Sequence, residues 1–528
     1  MPDAVAAQLD SNALRTAQLL ESIAGKDALL KHKDATISRL QHQVDWFKRQ
    51  LFGSKSERLI GEPDPSQLPL TAFTDSPTTP ALAATRTVPA HTRRHPLRDF
   101  AADGDSGLFF DESKVPVQTI TLPAPAAGLS PEQYTVIGEK VSHRLAQRPG
   151  SYVVLKYVRP LIKIGDAAPS CAPAPAGVLE GSRADVSFLA GLLVDKFVWH
   201  LPLYRQHQRL EQGGIKVSRP WLTQLSQQII ALLKPIHDAQ FDAIRSSRVI
   251  AMDETPIKAG AAKGKMKQGY FWPVYGDQAE VCFPYYANRA HENVRKALGT
   301  TLHDGAVLLS DGYAAYARYA EQLGATHAQC WAHTRRKFFE AQDADPDGAR
   351  AALERIGALY AVEQTIRDKK LVGEDKLRYR IEYSRPKVEA FFDWVDGQFQ
   401  RQGLLPSNPF TQALAYARER RAGLEVFLAD PDVPVDTNHL ERALRAIPMG
   451  RKAWLFCWTE LGAEQVGIVQ SLLVTCRLHG IDPYTYLVDV LQRVGQHPAS
   501  RVNELTPRLW KERFAAEPLR SDLHKTAG

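Results

Sequence analysis

In the middle of the chain, short apolar runs alternate with amphipathic stretches, and this pattern predicts a succession of strands and helices. The apolar runs predict strands at residues 249–253, 270–275, 281–286, 307–311 and 327–332. The amphipathic stretches predict helices at residues 291–298 and 314–323. Three consecutive strands followed by an alternating part are typical of an α/β fold in which the later strands pair in parallel.

The first 60 residues follow a different, seven-residue pattern. Apolar side chains recur at every seventh position and define one seam: Ile23, Leu30, Ile37, Val44 and Leu51. This spacing predicts a coiled-coil oligomerisation helix over residues 1–60, although Lys26 and Lys33 interrupt its companion seam. A helix packed against its own globular body is the alternative. The Pro- and Thr-rich basic stretch that follows predicts a linker over residues 61–120.

Residues that favour β structure dominate the next segment and predict a small β module within residues 121–178. Helical patterns return over residues 179–245. There Ser218 would cap a helix with one apolar face, after a shorter helix and a glycine turn. This arrangement fits a helix-turn-helix in which Arg219 and Thr223 face DNA. Plain helix packing produces the same pattern more often, so both interpretations stay open.

Composition narrows the class of protein. A formal net charge of +7 suits a polyanionic partner such as nucleic acid without proving one. The cysteines are scattered and odd in number, which argues against a disulfide framework and favours a reducing cytoplasm: Cys171, Cys282, Cys330, Cys457 and Cys476. We find neither a recognisable secretory signal nor an apolar run long enough to span a membrane. The sequence therefore predicts a cytoplasmic protein.

Three acidic residues occupy positions at which catalytic groups are expected. Asp253 and Asp311 each end a predicted strand, and the carboxyl ends of strands in an open α/β sheet form ligand clefts. Glu441 lies far downstream in a helical stretch. If the three carboxylates converge, they would hold two divalent cations for phosphoryl transfer. Each residue alone has an ordinary explanation, a turn for either aspartate and a surface ion pair with Arg445 for Glu441.

Several longer motifs resemble those of one family, the transposases of the insertion-sequence-sixty-six group of bacterial mobile elements. The motifs are LFGSKSER, DKFVWHLPLYRQ, MDETP, SDGYAAY, CWAHTRRKF, NHLERALRAIPMGRKAWLF and HGIDPYTYL. They begin at about Leu51 and continue into the C-terminal region, so the resemblance covers most of the chain. The strand order and the Asp, Asp, Glu series also resemble the RNase H-like fold of DDE transposases and retroviral integrases.

The resemblance implies an α/β organisation around an RNase H-like mixed sheet. The catalytic domain would occupy residues 246–462 and contain a large helical insertion at residues 334–431. A C-terminal helical appendage would follow at residues 463–528. The coiled coil, the linker, the β module and the possible helix-turn-helix would precede this core.

The resemblance also implies a metal centre. Asp253, Asp311 and Glu441 would be the catalytic residues and would bind two Mg²⁺ ions, for which Mn²⁺ can substitute. The family usually carries a zinc finger before the catalytic domain, formed by paired cysteines. Here the matching module at residues 121–178 keeps only Cys171. Because one thiolate cannot form a closed tetrahedral site, we expect a degenerate zinc-finger-like DNA-binding module without zinc.

The implied function is transposition. The protein would bind the terminal inverted repeats of a bacterial insertion sequence and catalyse metal-dependent strand cleavage and strand transfer. Its partners would be double-stranded element and target DNA, further copies of itself and element-encoded helper proteins, at the nucleoid and not at a membrane. Basic residues near the acids would contact DNA: His333, Arg335, Arg336, Lys337, Arg442, Arg445, Arg451 and Lys452. The alternatives are a catalytically inactive DNA-binding relative and an RNase H-like nuclease that does not join strands.

Overall fold

A computed structural model gives the three-dimensional structure of most of the chain beyond residue 107. It describes residues 108–123, 133–148, 150–164, 168–262, 265–401, 405–454 and 459–524, together with Lys26, Lys33, Asp166 and Cys457. The predicted coiled coil, apart from those two lysines, and most of the predicted linker lie outside these residues. No described helix is long and apolar enough to cross a membrane.

A β module opens the described part. Its strands are β1 (Val117–Thr121), β2 (Thr135–Arg148), β3 (Ser151–Lys163) and β4 (Ser170–Cys171). β2 and β3 form a long antiparallel hairpin, while β1 pairs in parallel with β3 and β4 antiparallel to it. The end of the predicted linker is therefore structured, since β1 belongs to this sheet and Phe110 and Val115 are buried in the core. Cys171 is a free, partly buried thiol on β4.

Three helices follow, α1 (Val186–Phe197), α2 (Leu203–Gln212) and α3 (Arg219–Arg245). The predicted cap of α3 is confirmed, because the Trp221 N–H donates to Ser218 Oγ over 3.3 Å. Its predicted apolar face is buried, whereas Arg219 and Thr223 are exposed at its first turn. Exposure alone does not separate DNA contact from plain helix packing, so the helix-turn-helix stays a prediction.

The central strands divide between two sheets. They are β5 (Val249–Met252), β6 (Thr255–Ala262), β7 (Lys265–Phe271), β8 (Val274–Tyr275), β9 (Val281–Cys282), β10 (Tyr285–Tyr286), β11 (Val307–Ser310) and β12 (Thr326–Gln329). One sheet has five strands in the order β12-β11-β5-β8-β9, with β5, β11 and β12 parallel and the others antiparallel. The other has the antiparallel order β10-β7-β6. The expected mixed α/β class is confirmed.

The structure corrects the predicted strands in detail. The segments at 270–275 and 281–286 each cross from one sheet to the other, at Pro273 and Pro284. Proline has no N–H for a strand ladder, so pairing is interrupted there; the Trp272 N–H donates to the Pro284 carbonyl over 2.9 Å at the crossing. β6 was not predicted. The last strand ends at Gln329 and not at residue 332, because a helix begins at Trp331.

Helices account for most of the remaining described residues. The predicted helices are confirmed as α4 (Glu292–Leu298) and α5 (Ala314–Leu323). Between β12 and residue 428 lie α6 (Trp331–Glu340), α7 (Pro346–Asp368), α8 (Gly373–Tyr379), α9 (Arg385–Phe399), α10 (Pro409–Glu419) and α11 (Arg421–Glu425). A π-helical turn at Arg380–Ser384 joins α8 to α9, and a 3₁₀ turn at Val426–Leu428 follows α11.

The C-terminal helices are α12 (Asn438–Leu444), α13 (Ala446–Trp454), α14 (Glu460–Leu478), α15 (Pro483–Arg493) and α16 (Pro507–Arg513), with 3₁₀ turns at Ala499–Leu505 and Asp522–His524. The helix predicted around Glu441 is broken at Arg445, where α12 ends and α13 begins. Most of α14, which begins the region predicted as a C-terminal appendage, is buried.

α14 covers the edge strand β9 with polar side chains. The Phe283 N–H donates to Ser471 Oγ over 2.9 Å, and the Val281 N–H donates to Thr475 Oγ1 over 3.2 Å. Because these hydroxyls satisfy backbone groups that would otherwise be buried without partners, helix and sheet edge approach closely. Gly467 lies at the closest approach, where an added Cβ would collide with the Phe283 carbonyl oxygen.

Gly467→Ala is expected to lower the free energy of unfolding by about 3 kcal/mol or more, since backbone has to move to accept the methyl group. Chemical denaturation followed by circular dichroism measures the change. Gly357→Ala is the matched control, because Gly357 is exposed within α7 and a Cβ there meets nothing within 4 Å. We expect it to stabilise the protein by about 0.5–1 kcal/mol. Equal effects of the two variants would contradict the close approach of α14.

Candidate active site

A cavity of about 650 Å³ opens at the carboxyl ends of the parallel strands. Asp253 follows β5 and Asp311 follows β11, while His333 lies in the first turn of α6, just after β12. Glu441 enters from the first turn of α12. The cavity is lined by these four residues and by Glu254, Arg289, Gly312, Tyr313, Arg336, Lys337, Glu340, Tyr416, Leu444, Arg445 and Pro448. Residues far apart in sequence thus meet at one edge of the sheet.

The carboxyl group of Asp253 is strongly perturbed by its surroundings. Burial, and next the charge of Glu254, raise the pKa of its carboxyl group to about 7, with smaller contributions from Asp311 and Glu441. One of its oxygens accepts a 2.7 Å hydrogen bond from the Glu254 N–H. Several carboxylates around a partly buried cavity repel one another, and a bound cation would offset that repulsion.

The carboxylate of Glu254 is buried at the edge of the cavity and is held there by several partners. Its side chain is only 4% exposed and is ion-paired with Arg289, whose Nε donates to Oε1 over 2.7 Å. The hydroxyl of the fully buried Tyr316 donates to Oε2 over 2.5 Å. The Arg289 guanidinium also lies over the ring of Tyr313, whose N–H donates to Asp311 Oδ1 over 2.9 Å. This network connects the loops that carry Asp253 and Asp311, and it was not predicted from the sequence.

Glu441 lines the same cavity and is close to His333. One ligand atom from each of Asp253, His333 and Glu441 lies within 4.8 Å of the other two. Glu441 Oε1 is 4.0 Å from His333 Nε2 and 3.8 Å from a guanidinium nitrogen of Arg336. Glu441 therefore lies near His333 and forms its ion pair with Arg336, whereas sequence spacing suggested Arg445, which lines the same cavity.

The donor set fits a divalent cation. Glu441 Oε1 is buried and has no hydrogen-bond partner among the described residues. Unpaired buried oxygens are costly, and a metal ion is one group that satisfies them. Carboxylates from Asp253, Asp311 and Glu441 supply the hard oxygen donors that Mg²⁺ and Mn²⁺ accept.

The predicted DNA-contacting residues divide into two groups. His333, Arg336, Lys337 and Arg445 line the cavity. Those outside its lining differ in their surroundings: Arg335 lines a neighbouring cavity of about 460 Å³, Arg451 donates to the Pro256 carbonyl, and Arg442 and Lys452 are exposed. Burial lowers the pKa of His333, which favours a neutral imidazole over the cation expected for a phosphate contact.

The sequence matches three family models. One is described as the transposase IS66 family and matches residues 181–465. The others are the IS66 C-terminal element, at residues 471–508, and the transposase C of IS166 homeodomain, at residues 39–102. The first of these covers more than half of the chain.

Three proteins of Sinorhizobium fredii are similar along much of their length, and each is described only as an uncharacterized protein. The protein y4hP is 29% identical over 91% of this chain and 90% of its own length. The protein y4jD is 30% identical over 71% of this chain and 76% of its own. The protein y4qI is 28% identical over 96% of this chain and 95% of its own.

Proposed function

This chain belongs to the IS66 family of transposases, and from that premise we propose that it cuts DNA at the ends of a bacterial insertion sequence and joins those ends to target DNA. The observation that carries the proposal is the placement of Asp253, Asp311 and Glu441 around one cavity at the carboxyl ends of parallel strands. Phosphodiester chemistry with two divalent cations needs this type of donor in this type of cleft.

The strand order supports an RNase H-like catalytic core. Three strands, β5, β8 and β9, form an antiparallel meander, and β11 and β12 add to the other side of β5 in parallel. Asp253 directly follows the first of these strands in sequence, β5, and Asp311 directly follows the fourth, β11. The helical segment between α6 and α11 then separates them from Glu441, in agreement with the order Asp, Asp, insertion, Glu.

Each group of the cavity has a role in this proposal. Asp253, Asp311 and Glu441 would hold the divalent ions, which when bound activate the attacking oxygen and stabilise the leaving oxygen. Arg336, Lys337 and Arg445 would fix the phosphates on either side of the cleaved bond. The ion pair between the buried Glu254 and the exposed Arg289 would keep the Asp253 and Asp311 loops at a fixed separation, so that little rearrangement is needed during reaction.

The substrate would be double-stranded DNA, in the form of the terminal inverted repeats of the element and of a target duplex. Assembly would proceed through the predicted coiled coil of residues 1–60, with element-encoded helper proteins as further partners. The retained carboxylates count against an inactive DNA-binding relative. A nuclease that cleaves without joining differs from a transposase only in the second step, so both products have to be measured.

The test is cleavage and joining of an end-labelled duplex from the terminal repeat of the element, with a supercoiled target plasmid present. In Mg²⁺ or Mn²⁺ we expect nicking at the repeat and covalent transfer of the labelled strand to the plasmid, and neither product in EDTA. Cleavage without transfer would support the nuclease. Specific binding without cleavage in either metal would contradict the proposed function and support the inactive relative.

A further inference from the structure

We propose that His333 is a metal ligand, so that one of the two ions is held by a mixed nitrogen and oxygen set formed by Asp253, His333 and Glu441. This inference rests on the proposed function, because it concerns the same cavity. It adds to the proposed carboxylate site a histidine, which was predicted from the sequence to contact DNA phosphate. It also predicts which divalent ion this position prefers.

The first turns of two helices bring His333 and Glu441 together. Cys330 occupies the N-cap position of α6 and Thr437 that of α12, and the Thr437 N–H donates to Cys330 Sγ over 3.3 Å. The buried Trp331 strengthens this junction, since its indole N–H donates to the Leu424 carbonyl over 2.9 Å. His333 lies three positions after one cap and Glu441 four positions after the other. Both side chains are therefore directed from a rigid junction, as a metal site requires.

The distances suit two ligands of one ion better than they suit a hydrogen bond. His333 Nε2 and Glu441 Oε1 are 4.0 Å apart, which is beyond hydrogen-bonding range. Two donors that each bind an ion at about 2.1 Å are at most about 4.2 Å apart. With Asp253 included, all three ligand atoms lie within 4.8 Å of one another. Three equally spaced donors on one ion are at most about 3.6 Å apart, so side-chain movements of up to roughly an ångström bring these three into one coordination sphere.

The cavity does not need His333 as a phosphate-binding cation. Arg336, Lys337 and Arg445 line the same cavity and carry permanent positive charge. The His333 side chain is only 15% exposed, and its Nε2 faces the carboxylate of Glu441. An imidazole in this position adds a neutral donor to a set of carboxylates. That is the usual role of histidine in protein metal sites.

A nitrogen donor changes the preference among metals. Mg²⁺ favours oxygen ligands and retains water, whereas imidazole is a better ligand for transition ions. The site formed by Asp253, His333 and Glu441 is therefore expected to bind Mn²⁺ more tightly than Mg²⁺. A second position next to Asp311 would keep an all-oxygen set, so the two positions would differ in selectivity.

The experiment uses the full chain with Mn²⁺ as the probe. Electron paramagnetic resonance of free Mn²⁺ gives the affinity, and pulsed measurements detect imidazole nitrogen coupled to the bound ion. The wild-type protein should show a nitrogen coupling that changes when its histidines are labelled with ¹⁵N. His333→Gln should lose this coupling, weaken Mn²⁺ binding at least about tenfold, and change Mg²⁺ affinity less than about threefold. His303→Gln, an exposed position at the other end of β11, should change none of these.

The outcomes separate this inference from the proposed function. Mn²⁺ binding that is lost in Asp253→Asn but shows no nitrogen coupling in the wild type would overturn the role of His333 and leave the carboxylate site in place. Mn²⁺ binding unchanged in both Asp253→Asn and Glu441→Gln would contradict the metal site of the proposed function itself. If His333→Gln does not fold, the coupling in the ¹⁵N-labelled wild type still decides. Among the described residues that line this cavity, His333 is the one histidine.

Discussion

Asp253→Asn is expected to reduce strand cleavage and strand transfer by about a thousandfold or more, while binding of terminal-repeat DNA changes little. Asparagine is nearly isosteric but carries no charge, so the variant loses the proposed metal-binding carboxylate, which interacts electrostatically with Asp311 and Glu441. Several kcal/mol of transition-state stabilisation by the ions would be lost, and about 4 kcal/mol corresponds to three decades in rate. Single-turnover assays on the labelled duplex, together with gel-shift titrations, measure the two effects separately.

The same substitution should not destabilise the metal-free protein. The pKa of Asp253 rises from its ordinary value near 3.8 to about 7 on folding, so the folded state binds more protons than the unfolded state between these limits. Stability contributed by this group therefore falls as pH rises through that window, and is lost above pH 7. At pH 8 without metal, Asp253→Asn should melt at the wild-type temperature or above it. Asp304→Asn, on an exposed loop at the other end of β11, is the matched control and should retain activity.

Glu363→Gln is expected to lower the free energy of unfolding by about 3–5 kcal/mol, the usual effect of leaving a buried charge without its partner. Arg380 is fully buried and is held by Glu363 in bidentate fashion, with both N–O distances at 2.9 Å. The remaining nitrogen of Arg380 donates to the carbonyls of Phe427, Asp430 and Val433. This ion pair therefore fixes the helical insertion to the segment that leads back to Glu441.

Urea denaturation followed by tryptophan fluorescence and by limited proteolysis of the insertion measures this loss. Asp375→Asn is the matched carboxylate-to-amide control, because its pair with Arg378 lies on the surface of the same insertion. It should change stability by less than about 0.5 kcal/mol. A loss below about 1 kcal/mol for Glu363→Gln would mean that other groups satisfy Arg380. Replacing both partners by leucine and methionine is expected to recover only part of the loss, because the buried carbonyls of Phe427 and Val433 would still lack the donor that Arg380 supplies.

Much of the central fold could be predicted because each element has a local signal. The apolar runs before Asp253 and Asp311 are long enough to mark buried strands, and Ser218 marks the start of α3 by its capping side chain. β6 was missed because TPIKAGAA contains small and flexible residues with low strand propensity, and its pairing with β7 comes from tertiary contacts. The change from one sheet to the other at Pro273 and Pro284 likewise could not be predicted, because it depends on the tertiary pairing of residues 270–275 with residues 281–286.

The residues of the cavity likewise differ in whether a sequence pattern pointed to them. Asp253, Asp311 and Glu441 were predicted from topology and resemblance, and all three line one cavity. From the sequence, His333 was predicted to contact DNA together with the arginines, because its sequence neighbours are basic. Burial lowers its pKa and favours the neutral form. No local sequence pattern indicates that burial. Glu254 was seen only as the residue beside Asp253. Its partners Arg289 and Tyr316 are distant in sequence, so the network became visible only with the fold.

The long insertion between Asp311 and Glu441 has a consequence for the newly made protein. At a synthesis rate of about 5–20 residues per second, the ribosome needs on the order of ten seconds or more after Asp253 before it reaches Glu441. The insertion then has to fold before Arg380 can hold the returning chain in place. A nascent or prematurely terminated polypeptide therefore carries the two aspartates without the third acid. Under the proposed function, DNA cleavage therefore cannot begin until translation is nearly finished.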